Sequence, residues 1–400
     1  MPNVAIPYHV DVALERGLEG RGVSREDALS LMAEAPLAAL LQTAAAVRNN
    51  FKGNSVSYSK KVFIPLTHLC RDYCGYCTFR ADPQAGVQPY MTPDEVLAVA
   101  EAGRRAGCKE ALFSLGDQPE RVFPEAKEFL QSLGFERTLE YVAAMSELVL
   151  TKTGLLPHSN PGLMAAEDLR RLRETNVSVG LMLESVGPRL GRPGGPHWRA
   201  PDKVPSLRLR TIENAGQLSM AFTTGILIGI GETPEERVDA LLAIRAAHEK
   251  HGHVQEVIVQ PFRAKPDIPM ALAPEPSNED LLRTIAVARL ILGGRMNLQS
   301  PPNLLSKDYP DLLKAGINDW GGISPVTRDF INPEAAWPQI SSLAARTASA
   351  GSVLRERLAI YPEFSMRTEF VNERLQPYVQ KLQGEDGYAR REPDGIPKGD

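Results

Sequence analysis

From residue 62 onward, the chain alternates short apolar runs with longer segments whose apolar positions recur every three or four residues. Short runs of this kind predict β-strands, and the longer segments predict amphipathic helices. Their alternation is typical of repeated βα units, so we predict an α/β fold with a closed (β/α) barrel and functional residues on loops at strand carboxyl ends. The predicted strands are 62–67, 110–115, 154–158, 178–183, 221–228, 255–261, 296–299 and 317–321, and the predicted helices are 92–106, 126–151, 165–174, 235–251 and 278–292.

The ends of the chain have a different pattern from this middle part. Ser24 is followed three residues later by Asp27, a helix-start signal, and an Ala- and Leu-rich stretch comes next. The final residues are polar and rich in Gly, Pro and charge, a composition typical of frayed termini. We therefore predict an N-terminal helical extension over 1–60, the barrel over 61–378 and a flexible tail over 379–400.

The composition favours a protein that acts on a small molecule. The chain has 400 residues, of which 43% are hydrophobic and 24% charged, enough for a substantial core. Its net charge of −4 gives no global basic field to attract nucleic acid or anionic lipid. We find no signal-peptide pattern and no apolar run long enough to span a bilayer. The expected location is cytoplasmic, with no nucleic-acid or membrane partner.

Three of the four cysteines, Cys70, Cys74 and Cys77, fall within one short loop after the first predicted strand. This crowding suits metal binding better than disulfides. Three thiolates indicate a [4Fe-4S] cluster in which one iron is left open to bind another molecule. The alternative is a structural zinc knuckle completed by His68 or a distant ligand, although no second Cys-x-x-Cys is present. Cys108 is interpreted as a small buried apolar residue.

The Cys-x3-Cys-x2-Cys spacing after a first strand resembles the signature of the radical S-adenosylmethionine (SAM) superfamily, which has a TIM-like (β/α) barrel. The resemblance implies that SAM chelates the open iron and is cleaved, with an external one-electron reductant, to methionine and a 5′-deoxyadenosyl radical. Matching positions occur in barrel order, with Asp117 in place of the family's common Glu. By this resemblance Tyr76 lies beside the adenine, Gly116 and Asp117 receive the SAM amino group, Glu184 binds the ribose, Arg208 pairs with the SAM carboxylate, and Gly225, Gly229 and Glu232 form the strand end beside the adenine.

Five longer stretches, 156–162, 222–233, 252–260, 262–266 and 319–325, resemble the CofG family of 7,8-didemethyl-8-hydroxy-5-deazariboflavin synthase subunits. That family implies oxidative cyclisation of 5-amino-5-(4-hydroxybenzyl)-6-(D-ribitylimino)-5,6-dihydrouracil, with loss of ammonia, to the chromophore of coenzyme F420. A separate CofH-type radical SAM enzyme is the expected partner, because the chain is shorter than the fused two-barrel form. Another radical SAM activity, CofH-like or biotin-synthase-like, and a non-catalytic metal-binding protein are the alternatives.

Several polar residues at predicted strand ends are candidates for substrate chemistry. His158 has a suitable pKa range for a catalytic acid or base, but a hydrogen-bonded structural role explains it equally well. Gln260, Arg263, Asn303 and Asp319 are predicted substrate contacts, because a ribityl chain and uracil carbonyls need donors and acceptors. Asp319 is also placed to cap the following turn.

The long loop 187–204 has two interpretations, a functional lid or a mobile surface segment. His197 and Trp198 are placed to close over a ligand in the first case, but a surface role is favoured. Arg71 and Asp72, inside the cysteine loop, are interpreted as solvated residues.

Overall fold

The computed structural model describes residues 6–305 and 309–390, and its centre is a closed barrel of eight parallel strands. Each strand pairs with its neighbour in sequence, and the eighth pairs back with the first. The predicted barrel is confirmed. The strands are β1 (Ser55–Thr67), β2 (Glu110–Leu115), β3 (Leu156–Asn160), β4 (Ser178–Gly180), β5 (Phe222–Ile228), β6 (Val254–Pro261), β7 (Leu298–Gln299), β8 (Asp319–Ile323) and an additional β9 (Val353–Arg357).

The helices surround the barrel, and several of them begin at clear start signals. Thr92 and Thr233 each form a reciprocal capping box with the Glu three residues later, and a proline follows each of them. The predicted helix 126–151 is two helices, separated at Gly134, whose φ of 82° favours glycine. The helices are α1 (Tyr8–Leu18), α2 (Arg25–Glu34), α3 (Leu37–Lys52), α4 (Pro93–Arg105), α5 (Pro124–Ser132), α6 (Thr138–Thr153), α7 (Ala166–Leu172), α8 (Pro205–Gln217), α9 (Pro234–His251), α10 (Asn278–Leu292), α11 (Asp311–Lys314), α12 (Ile340–Ser349), α13 (Pro362–Ser365) and α14 (Gln376–Leu382).

The N-terminal helices pack against the outside of the barrel. Helices α2 and α3 contact α10, and buried side chains such as Leu31 and Leu40 join the main core. The first strand begins at Ser55 rather than at the predicted residue 62. Its first half alternates polar and apolar residues, so a search for apolar runs finds only the second half.

The amino-terminal end of the barrel is closed by a segment for which no strand was predicted. Strand β9 pairs in parallel with the first half of β1, from Ser55 opposite Val353 to Ser59 opposite Arg357. The chain then runs into buried Leu358, Ile360 and Tyr361, which pack with residues at the starts of β3 and β5. This end of the barrel is therefore sealed, and only the carboxyl ends of the strands can open onto a site.

A buried ion pair lies under this closure. Arg357 Nε is 2.7 Å from Asp319 Oδ2, and its Nη2 is 3.1 Å from Glu256 Oε1. Asp319 is the first residue of β8, fully buried, and its other oxygen accepts from the Gly321 N–H. The expectation that Asp319 lies at a strand carboxyl end is therefore wrong. The predicted strand covered 317–321, whereas β8 begins at Asp319.

Part of the predicted tail is folded onto the barrel. Residues 379–382 complete α14, the Ala389 N–H donates to Glu356 O, and Arg355 lies over the Tyr388 ring. Residues 391–400 lie outside the described residues. No helix in the described part of the chain is both long enough and apolar enough to cross a membrane.

Candidate active site

A cavity of about 230 Å³ lies at the carboxyl ends of the strands, under the loop that follows β1. All three loop cysteines line it, together with residues at the ends of β2, β3 and β4 and inner residues of β5 and β6. The lining combines apolar side chains with a small number of charged groups, as is usual for small-molecule sites. Of the predicted residues, the cavity brings together Cys70, Cys74, Cys77, Tyr76, Gly116, Asp117, Glu184 and Arg208.

The donor set fits an iron-sulfur cluster better than a single zinc ion. The three cysteines are free thiols, and their sulfurs do not all lie within 4.8 Å of one another. One zinc ion, with Zn–S bonds of about 2.3 Å, holds its sulfurs closer than roughly 4.6 Å. His68 Nδ1 donates to Phe79 O at 2.8 Å, and His68 does not line this cavity. The wider spacing suits thiolates bound to separate irons of a cluster.

The surroundings of Cys70 also suit a cluster ligand. Its sulfur accepts hydrogen bonds from the backbone N–H groups of Asp117, at 3.1 Å, and Asp72, at 3.4 Å. Such N–H···S bonds tune cluster sulfurs. Burial raises the pKa of the Cys70 thiol to about 12, and burial also raises that of Cys74. Binding a cluster here must therefore displace thiol protons.

Gly116 brings the end of β2 against the cysteine loop. A Cβ atom at this position would lie 2.0 Å from Leu69 O and 2.6 Å from Cys70 Cβ. No residue with a side chain fits without moving the loop backbone. The close approach is what lets the Asp117 N–H reach Cys70.

Asp117 belongs to a buried carboxylate cluster with Asp72 and Asp202, whose oxygens lie within 4.8 Å of one another. Its Oδ2 accepts from the Leu163 N–H at 3.0 Å. Burial, and the charges of Asp202 and Asp72, raise the pKa of Asp117 to about 7. Arg71 binds both oxygens of Asp202, each at 2.5 Å. The interpretation of Arg71 and Asp72 as solvated residues is wrong, because both are held inside this cluster.

Glu184 sits just beyond β4 with a φ of 66° and points a buried carboxylate at three donors. Lys203 Nζ lies 2.6 Å from its Oε1, His197 Nε2 lies 3.1 Å from its Oε2, and the Tyr76 hydroxyl donates to it. Arg208 lies 3.8 Å away. Burial alone would raise the pKa of Glu184, but Lys203 and the other donors hold it well below its usual range.

The loop 187–204 supplies two of these contacts; Lys203 was not predicted, and a site role for His197 was only the less favoured interpretation. His197 is only 6% exposed, and its ring meets Tyr76 edge to face at 5.7 Å, so the favoured surface role is wrong. Lys203 follows a proline in a short helical turn near the end of the loop. Trp198, in contrast, is exposed. The length of the loop was the only signal in the sequence.

Arg208 in α8 is fixed by backbone oxygens. Its Nε donates to Met182 O at 2.7 Å and its Nη1 to Asp202 O at 3.1 Å, while Nη2 faces Glu184. The guanidinium is 4% exposed and lines the cavity, where the sequence placed it.

The glycine-rich end of β5 shapes the barrel but does not line the cavity. A Cβ at Gly225 would lie 2.2 Å from Ile258 O, and Gly229 has a φ of 88°. Glu232 accepts from the N–H groups of Gly229 and Ile230, both at 2.8 Å, and pairs with Arg237 at 2.7 Å. The Glu232 carboxylate is fully used by these hydrogen bonds and this ion pair. Only the backbone of the turn that it stabilises is therefore available to contact a cofactor.

The predicted substrate contacts divide into two groups. Gln260, in β6, shares a strand face with Ile258, which lines the cavity, and therefore points toward the barrel mouth. Arg263 is bound to Leu304 O at 3.0 Å and to Glu275 at 2.8 Å. Asn303 donates to Asp329 at 2.9 Å and lies in a short turn beyond β7. The donors of these last two residues hold loops together instead of facing the cavity.

His158 lies in β3, one layer below the cavity, and is 4% exposed. Its Nδ1 is 2.6 Å from Ser178 Oγ and its Nε2 is 3.0 Å from Asn160 Oδ1. Burial lowers its pKa to about 4. With both ring nitrogens occupied and no place in the lining, it cannot exchange a proton directly with a ligand.

Comparison with known proteins assigns the family. The radical SAM superfamily model matches residues 64–244. The chain is 50% identical over 335 residues to the 7,8-didemethyl-8-hydroxy-5-deazariboflavin synthase of Methanopyrus kandleri, covering 84% of this chain and 100% of that protein. It is 48% identical over 394 residues to the FO synthase of Streptomyces coelicolor, covering 95% of this chain but 45% of that relative. The chain thus spans less than half the length of this longer relative.

Solved structures agree with the barrel. Methylornithine synthase PylB superposes with a TM-score of 0.67 at 21% identity, covering 86% of this chain and 97% of that one. The FeFe-hydrogenase maturase HydG from Carboxydothermus hydrogenoformans superposes with a TM-score of 0.71 at 17% identity, covering 93% and 84%. These likenesses establish the fold, and the sequence relatives establish the closer kinship. The chain belongs to the radical SAM superfamily and, within it, to the family of 7,8-didemethyl-8-hydroxy-5-deazariboflavin synthases.

Proposed function

We propose that this chain cyclises 5-amino-5-(4-hydroxybenzyl)-6-(D-ribitylimino)-5,6-dihydrouracil oxidatively, with loss of ammonia, to 7,8-didemethyl-8-hydroxy-5-deazariboflavin. The observation that carries the proposal is the 50% sequence identity to the Methanopyrus kandleri synthase, over the full length of that relative. A CofH-type radical SAM enzyme would supply the adduct, and an external donor would supply single electrons. Membership of the superfamily implies a [4Fe-4S] cluster and SAM as cofactors.

Cys70, Cys74 and Cys77 would hold the cluster. When bound, the cluster and SAM would supply the radical chemistry. What the protein contributes is the placement of the two reactants and a dry, shaped cavity around them. The apolar lining residues Leu115 and Ile258 would limit the entry of water into this space.

The charges around the cavity suit the zwitterionic methionine part of SAM. Asp117 and Asp72 form an acidic side that would attract the ammonium group. Lys203 and Arg208 form a basic side that would attract the carboxylate. Glu184, which contacts the basic side, has acceptors for ribose hydroxyls once its present donors make room. Each group acts through hydrogen bonds and charge, with no proton transfer required of it.

Gln260 is the predicted substrate contact that the barrel geometry favours, because it shares the inward face of β6 with Ile258. Its amide offers both a donor and an acceptor, which suits a ribityl chain or a uracil edge. Arg263 and Asn303 would shape the entrance by fixing loops, and Asp319 would stabilise the barrel from its opposite end.

The test is anaerobic reconstitution followed by a fluorescence assay. The protein should bind about four irons per chain, cleave SAM when reduced and, with the adduct, produce deazaflavin fluorescence. Cys74→Ala should lose cluster and product together, whereas Cys108→Ala, at a buried cysteine outside the cavity, should keep both. A colourless protein that binds one zinc would contradict the cluster assignment. SAM cleavage without fluorescence would mean a different substrate.

A further inference from the structure

Asn160, the last residue of β3, connects the cavity with a buried chain of hydrogen bonds below it. We propose that Asn160 presents its amide oxygen to the cavity as a fixed acceptor for an N–H or O–H donor of the bound ligand, with His158 as its positioning residue. The inference rests on the proposed function only in the identity of that ligand.

The position of Asn160 is set by its neighbours on both sides. It lines the cavity and is only partly buried, and one amide atom lies 3.0 Å from His158 Nε2. The other amide atom has no hydrogen-bond partner in the described part of the chain. A Cβ at Gly180, on the adjacent strand β4, would lie 2.2 Å from the Asn160 amide. Glycine at 180 therefore creates the space that the amide occupies.

The direction of each hydrogen bond in this series can be assigned by starting from Ala359, the partner farthest from the cavity. Ala359 O, in the segment that closes the barrel, can only accept, and Ser178 Oγ lies 2.6 Å from it. The single Ser178 hydroxyl hydrogen is therefore donated to Ala359. Ser178 Oγ can then only accept from His158 Nδ1, which lies 2.6 Å away, so Nδ1 carries a hydrogen.

His158 is neutral, because its buried ring has a pKa of about 4. With its one hydrogen on Nδ1, Nε2 has a free lone pair and accepts. The Asn160 group facing Nε2 must then be the NH₂ end of the amide. A half-turn of the amide exchanges oxygen and nitrogen without changing its shape, so the hydrogen-bond network decides the orientation. The oxygen is left facing the cavity.

An acceptor in this place selects ligands that carry a matching donor. The uracil ring of the proposed adduct offers N–H groups, and SAM offers an ammonium and ribose hydroxyls. Both present the same chemistry to Asn160, so separate measurements of the two ligands must distinguish them. A ligand with an acceptor at this point would cover the amide oxygen without pairing it, which is costly.

The orientation is tested by NMR on the reconstituted protein labelled with ¹⁵N-histidine. Long-range ¹H–¹⁵N spectra at neutral pH should contain a neutral histidine protonated at Nδ1 that disappears in His158→Gln. His253→Gln is the matched control, because His253 is also buried with a pKa lowered to about 4, yet lies outside the cavity lining. A His158 signal protonated at Nε2, or at both nitrogens, would overturn the orientation.

The acceptor role is tested with Asn160→Ala. We expect either the Kd for SAM or the KM for the adduct to rise about tenfold, the usual loss for one hydrogen bond of this kind. A change in one of them supports the proposal and identifies the donor, and no change in either overturns it. If the wild-type protein makes no deazaflavin, the proposed function fails, while the NMR spectrum still tests the amide orientation and the Kd for SAM still tests the contact of Asn160 with SAM.

Discussion

Lys203 Nζ lies 2.6 Å from Glu184 Oε1, and both side chains are largely removed from solvent. The two residues stand at opposite ends of the long loop that leads from β4 to α8. Their contact holds this loop over the cavity, and it places a cation and an anion side by side where a zwitterionic ligand would bind. The loop is thereby a wall of the site.

Replacing this cation should affect both stability and ligand binding. Lys203→Met leaves a buried carboxylate without its nearest charge, so we expect the free energy of unfolding to fall by about 3–5 kcal/mol. The Kd for SAM should rise about tenfold. Urea unfolding and equilibrium dialysis measure the two effects. Lys250→Met, which removes an exposed pair with Glu213, is the control and should change stability by at most about 1 kcal/mol.

Adding one methyl group at Gly116 should disturb the cluster. In Gly116→Ala the new Cβ would collide with the Leu69 carbonyl, so the cysteine loop must shift. We expect iron per chain to drop clearly and stability to fall by about 1–3 kcal/mol. Gly191→Ala, where the new atom meets nothing within 4 Å, should retain wild-type iron. Equal iron in both variants would mean that the close approach is unimportant for the cluster.

His158 should make stability depend on pH. Its folded pKa is about 4, below the ordinary value of 6.5, because burial disfavours the charged ring. Below pH 6.5 the unfolded chain takes up a proton that the folded protein refuses, so stability falls as pH drops from 6.5 to 4. The loss reaches about 3 kcal/mol over this window. Urea unfolding of His158→Gln at several pH values should give a shallower slope, and an unchanged slope would contradict the assignment.

Arg357 should be needed for the closed end of the barrel. Arg357→Met leaves Asp319 and Glu256 buried without their shared cation. We therefore expect the free energy of unfolding to fall by about 3–5 kcal/mol. Adding Asp319→Asn should recover part of it, because one of the two uncompensated charges is then gone. Arg367→Met, at an exposed pair with Glu369, is the control. Chemical unfolding of the four proteins gives the comparison.

The parts of the site that could be predicted are those that occur at fixed places along βα units. The cysteine spacing, Gly116, Glu184 and Arg208 follow the ends of strands in barrel order, so a motif and a strand pattern together locate them. Lys203 and His197 could not be found in this way. They reach Glu184 through the path of an irregular loop, which leaves no periodic signal in the sequence.

The fold was predictable for a similar reason. Strands that contain short apolar runs, such as Ala-Leu-Phe in β2 and Ile-Leu-Ile in β5, are largely buried and appear clearly in the sequence. Strand β9 reads Val-Leu-Arg-Glu-Arg and is mostly exposed or half-buried, so it has no apolar run. It exists because the first half of β1 offers it an edge, and that edge lies far away in sequence. The misplaced start of β8 had the further effect of assigning Asp319 to the wrong end of the barrel.

The length of β1 has a consequence for how the protein is made. This strand presents the cysteine loop, yet its first half pairs with β8 and β9, which come last in chain order among the described strands. On the ribosome, the support for the cysteine loop therefore stays incomplete until residue 357 has left the exit tunnel, because such distant pairings form late. Iron and sulfide delivered before that point would reach a cysteine loop whose strand, β1, is still unpaired in its first half. We therefore expect cluster assembly to follow the pairing of β8 and β9 with β1, which completes the support of the cysteine loop.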